Sequence, residues 1–258
     1  MNSIQSLVII GSGNVATHLA SAFQDAGLDI LGIYSQTFKN SQILADKLNA
    51  NAFESITDIP DTADAYLLAV TDSALIKIVS EMPIVDGVLM HSSGSVGLDV
   101  FPKRVICSAV FYPLQTFTKG KSIDFSSVPI LIESKDKIAL KQLENLGDKI
   151  SKTVKSIDSK QRKQLHLAAV FASNFSNYMY HIAFNLLKEN DLNFDLLKPL
   201  INETVEKLNS ISPQEAQTGP AIRDDHKTIN EHIDMLDNNP AYQHIYRLIS
   251  DQIKKLKS

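Results

Sequence analysis

Residues 7–16, LVIIGSGNVA, set a short apolar run directly before a glycine-rich turn that opens a helix. In that order, Gly11 permits a sharp turn, Gly13 lets the backbone approach a pyrophosphate closely, and Ala16 fills the small third position where helix and strand must pack. Backbone amides near Ser12, Asn14 and Val15 would then point at phosphate. A helix N-terminus adds about half a positive charge there, so an anion is held without a lysine. The pattern predicts a dinucleotide site.

Such a site takes a second contact at the end of the second strand, where the sequence reads GIYSQTFKNS. An NAD site places Asp or Glu in this region to hold the ribose hydroxyls, yet no acid lies between Asp29 and Asp46. Ser35, Gln36 and Thr37 can donate hydrogen bonds to a 2'-phosphate and Lys39 can add charge, which favours NADP and leaves NAD as the alternative. The lack of an Arg weighs against it, because Arg binds phosphate bidentately and Lys does not. A plain solvated loop is the other reading of this stretch.

In an open α/β sheet the ligand lies beyond the carboxyl ends of the strands, so the residues following each strand matter most. Thr71-Asp72 follows LLAV, and Asp72 either caps the next helix or faces the ligand. His91-Ser92-Ser93-Gly94 follows GVLM, bringing an imidazole, hydroxyls and a glycine to the expected nicotinamide edge. Tyr112-Pro113-Leu114-Gln115 follows VICSAVF; Pro113 would stop the strand and turn Tyr112 and Gln115 to the cleft, with packing an equal role for Tyr112.

Between Gln164 and Leu187 no Asp, Glu, Lys or Arg occurs, so this helix is expected to be buried. At helical spacing His166, Val170, Ser173, Asn174, Asn177 and His181 share one face, opposite Phe171, Phe175, Tyr178, Met179 and Ile182. The polar stripe, with Ser173 and Asn177 free to touch a substrate, reads as a cleft, a hydrogen-bonded core or a subunit interface. In TGPAIRDDH, Asp224 or Asp225 caps the next helix, while Arg223 either fixes a substrate carboxylate or phosphate or pairs with Asp225. No Cys/His set has zinc-ligand spacing, no GxSxG occurs, and no metal is expected.

The elements that must position these residues follow from the alternation of short β-rich runs and amphipathic stretches over residues 1–157. Strands are expected at 7–10, 30–34, 65–70, 87–90, 105–111, 129–133 and 153–156, and helices at 15–25, 41–48, 73–79 and 135–146. This is the rhythm of a doubly wound parallel sheet, a dinucleotide-binding Rossmann domain. From 158 to 258 the β-rich runs stop, and helices are expected at 160–189, 194–210, 224–237 and 241–257, an all-helical second domain. A chain of 258 residues with 44% hydrophobic content allows one large or two modest domains. A net charge of -4 without a basic stripe argues against nucleic acid, and no run of about 18 apolar residues would span a bilayer. With no basic segment before the first apolar run and a single Cys107, a buried small residue in this reading, cytoplasmic residence is expected.

Together GSGNVA, HSSGS, FYPLQTF, HLAAVFASNF and TGPAIRDDH resemble the Rossmann-like proteins with a C-terminal DUF2520 domain, over nearly the whole chain. That group is similar to pyrroline-5-carboxylate reductase, to the F420-dependent NADP oxidoreductases and to the wider 6-phosphogluconate-dehydrogenase-like superfamily. The resemblance implies an NAD(P)-dependent oxidoreductase, often a homodimer, with deazaflavin F420 a conceivable co-substrate. It carries over to Gly11, Gly13 and Ala16 in the turn and to His166 and Asn174 in the helix. It also leads one to expect Arg where this chain has Gln36 and Gly where it has Asp224. The resulting expectation is an NADP-dependent enzyme acting on a small polar carbonyl or imine in an interdomain cleft. His166 would give or take the proton and Asn174 would fix the reacting atom. A non-catalytic NADP(H)-sensing protein is the alternative.

Overall fold

The computed structural model describes residues 3–257. Eight strands, β1 (Ser6–Ile10), β2 (Asp29–Tyr34), β3 (Asn51–Phe53), β4 (Ala65–Leu68), β5 (Val88–His91), β6 (Ser108–Pro113), β7 (Ile130–Ser134) and β8 (Val154–Ser156), form one sheet in the order β3-β2-β1-β4-β5-β6-β7-β8. Helices α1 (Asn14–Asp25), α2 (Phe38–Leu48), α3 (Asp72–Glu81) and α4 (Lys137–Asp148) connect them. The order reverses direction between β1 and β4, the crevice where a doubly wound sheet takes its ligand.

The period-2 geometry of β1 explains the two cores. Leu7 and Ile9 face Phe23 and Leu19 of α1, whereas Val8 and Ile10 join Leu68, Leu75 and Val79 on the other face. All four residues are fully buried, as parallel strands covered on both faces require. Two features depart from the expected parallel sheet. β3 is an additional edge strand of three residues, too short to carry a periodic signal. β7 runs antiparallel to β6, because the connection across residues 114–129 holds no α-helix and so makes no crossover.

By packing, the chain divides into Met1–Asn174 and Phe175–Ser258. The change in sequence character at 158 falls earlier, because α5 (Ser159–Ala169) is bound to the sheet: the Arg162 guanidinium, fully buried, pairs with Glu133 of β7 and donates to the Val96 carbonyl. The second unit contains α6 (Ser176–Lys188), α7 (Lys198–Glu206), α8 (His226–Met235) and α9 (Pro240–Lys254). Its small core is Ala221, Ile229 and Ile233, packed by Tyr246 and Ile253. Asp225 caps α8 by accepting from the Thr228 amide at 3.1 Å, and Asp224 before it has φ 57, the left-handed region in which glycine is favoured.

The uncharged stretch 164–187 is not one buried helix. A π-helical turn, Val170–Phe175, separates α5 from α6; an inserted residue sets everything beyond it back by about 100°, so the single-phase face from His166 to His181 does not hold. Leu167 is 60% exposed and Phe171 61%. Lack of charge marked an apolar surface here. No helix among the described residues is long and apolar enough to cross a membrane.

Candidate active site

β1 ends at Ile10 and the chain turns at once: the Gly11 amide donates to the Tyr34 carbonyl at 2.7 Å and the Ala69 amide to the Ile10 carbonyl at 2.8 Å, tying the ends of three strands together. Gly11 sits at φ +120, and a Cβ there would lie 2.3 Å from the Ala69 carbonyl oxygen. Only glycine fits both demands. Gly13 caps α1, and a Cβ on it would meet nothing within 4 Å, so the first-turn amides look onto open space. No acid occupies that first turn to repel an anion. Ser12 and Ser35 share a hydrogen bond of 2.9 Å across the β1 and β2 ends. The Asn14 side chain is committed elsewhere, donating to the Phe117 carbonyl at 2.7 Å, which leaves its backbone amide for a ligand.

These groups line a hollow of about 550 Å³ at the carboxyl edge of the sheet. Gly11, Ser12, Gly13, Asn14, Val15, Ser35, Gln36, Thr71, Ser92, Ser93, Tyr112 and His166 all face it, with Asp72, Gly94 and Gln115. The glycine turn, open amides and hydroxyls fit a pyrophosphate and its riboses. Thr37 caps α2 and Lys39 lies exposed in its first turn, both outside the lining. Thr71, and not Asp72, holds the N-cap position of α3; Asp72 instead accepts from the Ser95 hydroxyl.

His91 corrects the expectation of a cofactor contact. It is fully buried beneath the loop, its Nδ1 accepting from the Ser93 amide at 3.1 Å and its ring stacked on Phe101 at 5.6 Å. Burial, aided by the nearby Arg162 charge, pushes its pKa from 6.5 down to about 4, so it is neutral and supports the loop from below. Ser93 Oγ likewise works inside the loop, accepting from the amides of Ser95 and Val96 at 3.1 and 3.0 Å.

Tyr112 at the end of β6 and His166 on α5 meet at the mouth of this hollow, hydroxyl to Nδ1 at 3.0 Å, with the rings edge-on at 73°. Burial pushes the Tyr112 pKa up, opposed by the Arg162 charge, so the hydroxyl keeps its proton at neutral pH. Gly94 is pressed against the pair: a Cβ there would lie 2.6 Å from His166 Nδ1 and 2.9 Å from Tyr112 Cζ. Four residues before His166, on the same helix face, Arg162 anchors α5 through Glu133, which also accepts from the Ser159 hydroxyl and amide.

Ser173 and Asn174 line an adjoining hollow of about 560 Å³ that shares Tyr112 and His166 with the first. Asn177 and Arg223 belong to the helical unit and line neither hollow. Arg223 makes no ion pair within 4.0 Å among the described residues, and Asp225 is held down first by its bond from the Thr228 amide. Cys107 is half-buried, and burial raises its thiol pKa, which keeps it protonated. Among the described residues no group of three or more His, Cys, Asp or Glu could hold a metal. Arg162 was missing from the sequence-derived site, and its spacing of four residues from His166 was the available signal.

Comparison with known proteins places the chain in a family. A family model described as NADP oxidoreductase coenzyme F420-dependent matches residues 6–90, and one described as domain of unknown function (DUF2520) matches 128–253. A solved structure from Bacteroides fragilis, provisionally named an NADP oxidoreductase, aligns with TM-score 0.91 at 38% identity over 98% of each chain. A Thermotoga maritima protein aligns with TM-score 0.82 at 19% identity, over 97% of this chain and 98% of that one. An imine reductase from Myxococcus stipitatus, in complex with NADP+, aligns with TM-score 0.71 at 15% identity over 97% and 93%. The last two share the fold. No curated protein matches the chain. With 38% identity across nearly all of both chains, and the two models along its length, the chain belongs to the NADP-oxidoreductase-like Rossmann proteins with a C-terminal DUF2520 domain.

Proposed function

We propose that this chain is an NADP(H)-dependent oxidoreductase that passes hydride to or from a small polar carbonyl- or imine-type substrate. One observation carries the reading: a proton-exchanging pair, Tyr112 and His166, stands in the same hollow as the glycine turn, 3.0 Å apart. Nicotinamide, when bound, supplies the hydride. The turn at Gly11 to Val15 holds the pyrophosphate, Ser35 and Gln36 face the adenosine ribose, and Thr71, Ser92 and Ser93 border the nicotinamide end. Ser173 and Asn174, in the adjoining hollow, are placed to orient the substrate's heteroatom beside His166. The kinship of fold with an imine reductase that binds NADP+ supports the substrate class.

The same reading includes a homodimer. Leu167 and Phe171 are 60% and 61% exposed along a stretch without charge, an apolar surface that a second copy would cover. Light scattering after size exclusion should give twice 28.5 kDa, and a monomer at micromolar concentration would remove this element. The oxidoreductase reading is tested by screening NADPH consumption against carbonyls, imines and a deazaflavin. Turnover with one class supports it. Tight NADPH binding with no turnover on any compound favours an NADP(H) sensor.

A further inference from the structure

His166 is the obvious proton carrier of the pair, yet its contacts point one step further. Its Nδ1 is already engaged by the Tyr112 hydroxyl. A Cβ built on Gly94 would lie 2.6 Å from His166 Nδ1, 2.8 Å from its Cγ and 2.9 Å from Tyr112 Cζ, so the Ser92–Gly94 loop closes on that edge of the imidazole and leaves the phenol as the exchangeable proton on its side. His166 Nε2 lies on the opposite edge of the ring. Tyr112 stands on a sheet strand next to Phe111 and Pro113, both buried, which fixes its direction.

We propose that the Tyr112 hydroxyl is the group that exchanges the proton with substrate, and that His166 reloads it through Nδ1; this rests on the oxidoreductase reading above. In the reducing direction, the substrate carbon receives hydride from reduced nicotinamide, and the π pair of its C=O or C=N bond moves to the heteroatom. That atom takes the Tyr112 proton. The Nδ1 proton of the His166 imidazolium passes to the phenolate oxygen, leaving neutral imidazole protonated at Nε2, which water recharges. Every bond broken is matched by one formed. The charged groups acting on Tyr112 are Arg162 from α5 and Asp72 from α3, with Glu133 from β7 paired to Arg162.

The test compares Tyr112→Phe with His166→Gln, with three readouts on the full chain. In NADPH titrations both variants should bind within about twofold of wild type. Turnover should drop by about 10²-fold or more in Tyr112→Phe, the usual worth of a positioned acid. In His166→Gln it should drop less. In cofactor-free protein, the His166 Nδ1 resonance in 15N NMR should shift on Tyr112→Phe, while Nε2 stays. Full turnover in Tyr112→Phe with a dead His166→Gln would overturn the relay and return the proton to His166, as would an unmoved Nδ1 signal. Failure of all proteins to bind NADPH would instead sink the oxidoreductase reading, with the NMR result still judging the pair. Should Tyr112→Phe fail to fold, 3-fluorotyrosine at 112 keeps the shape and lowers the phenol pKa. It should move the pH-rate profile to lower pH, and an unmoved profile would refute the relay.

Discussion

Gly94→Ala isolates the contact on which the pair depends. The added methyl would sit 2.6 Å from His166 Nδ1, 2.8 Å from its Cγ and 2.9 Å from Tyr112 Cζ. Relief to ordinary contact near 3.4 Å needs a displacement of about 0.8 Å, the difference 3.4 minus 2.6. Gly94 is not among the positive-φ glycines, so alanine meets no backbone penalty and the whole effect is this collision. Overpacking of this kind costs about 1–3 kcal/mol in stability, and a shift approaching 1 Å costs about 10²-fold in turnover. Urea unfolding of Gly94→Ala, His166→Ala and the double variant closes a cycle. In the His166→Ala background the two nearest contacts are gone and Tyr112 Cζ at 2.9 Å remains, so the cost of Gly94→Ala should fall by about 1 kcal/mol or more. Costs that add to within about 0.5 kcal/mol would refute the packing argument.

His91, with a pKa near 4 against 6.5 when free, is depressed in the folded state. Its stabilisation is complete above pH 6.5 and is lost as pH falls toward 4, at up to about 1.4 kcal/mol per pH unit and about 3 kcal/mol in all. Denaturant midpoints from pH 7 to 4 should flatten in His91→Asn; an unchanged slope contradicts the assignment. Arg162→Met strands Glu133 and should cost about 3–5 kcal/mol, much of it regained with Glu133→Gln added, as thermal unfolding would read. No recovery in the double variant would mean that the pair is not what binds α5 to the sheet. Gly11→Ala combines φ +120 with a 2.3 Å clash on Ala69, and should lose stability and at least tenfold in NADPH affinity by fluorescence titration. Wild-type binding would place the cofactor elsewhere.

What the sequence disclosed was local. The turn at Gly11 and Gly13 declared itself because strand, glycines and helix start are contiguous, and the strand-end loops could be listed because the fold puts ligands there. The pairing of Tyr112 with His166 joins residues 54 apart, and that of Glu133 with Arg162 residues 29 apart; such contacts leave no periodic trace. His91 misled because a histidine following an apolar run reads the same whether it faces the cleft or lies beneath it. The uncharged helix misled for a related reason, since absence of charge records an apolar surface without saying which chain covers it. β7 broke the parallel pattern only because its preceding connection lacked a helix, a fact of the loop and not of the strand.

The central claim is that the hollow opening on Gly11 and Gly13 binds NADP(H), and calorimetric titration of the full chain with NADPH, NADP+, NADH and NAD+ tests it most directly. Saturable binding at one site per chain, with the 2'-phosphorylated forms tighter, is the predicted result. Absence of binding by all four would contradict the account at its root.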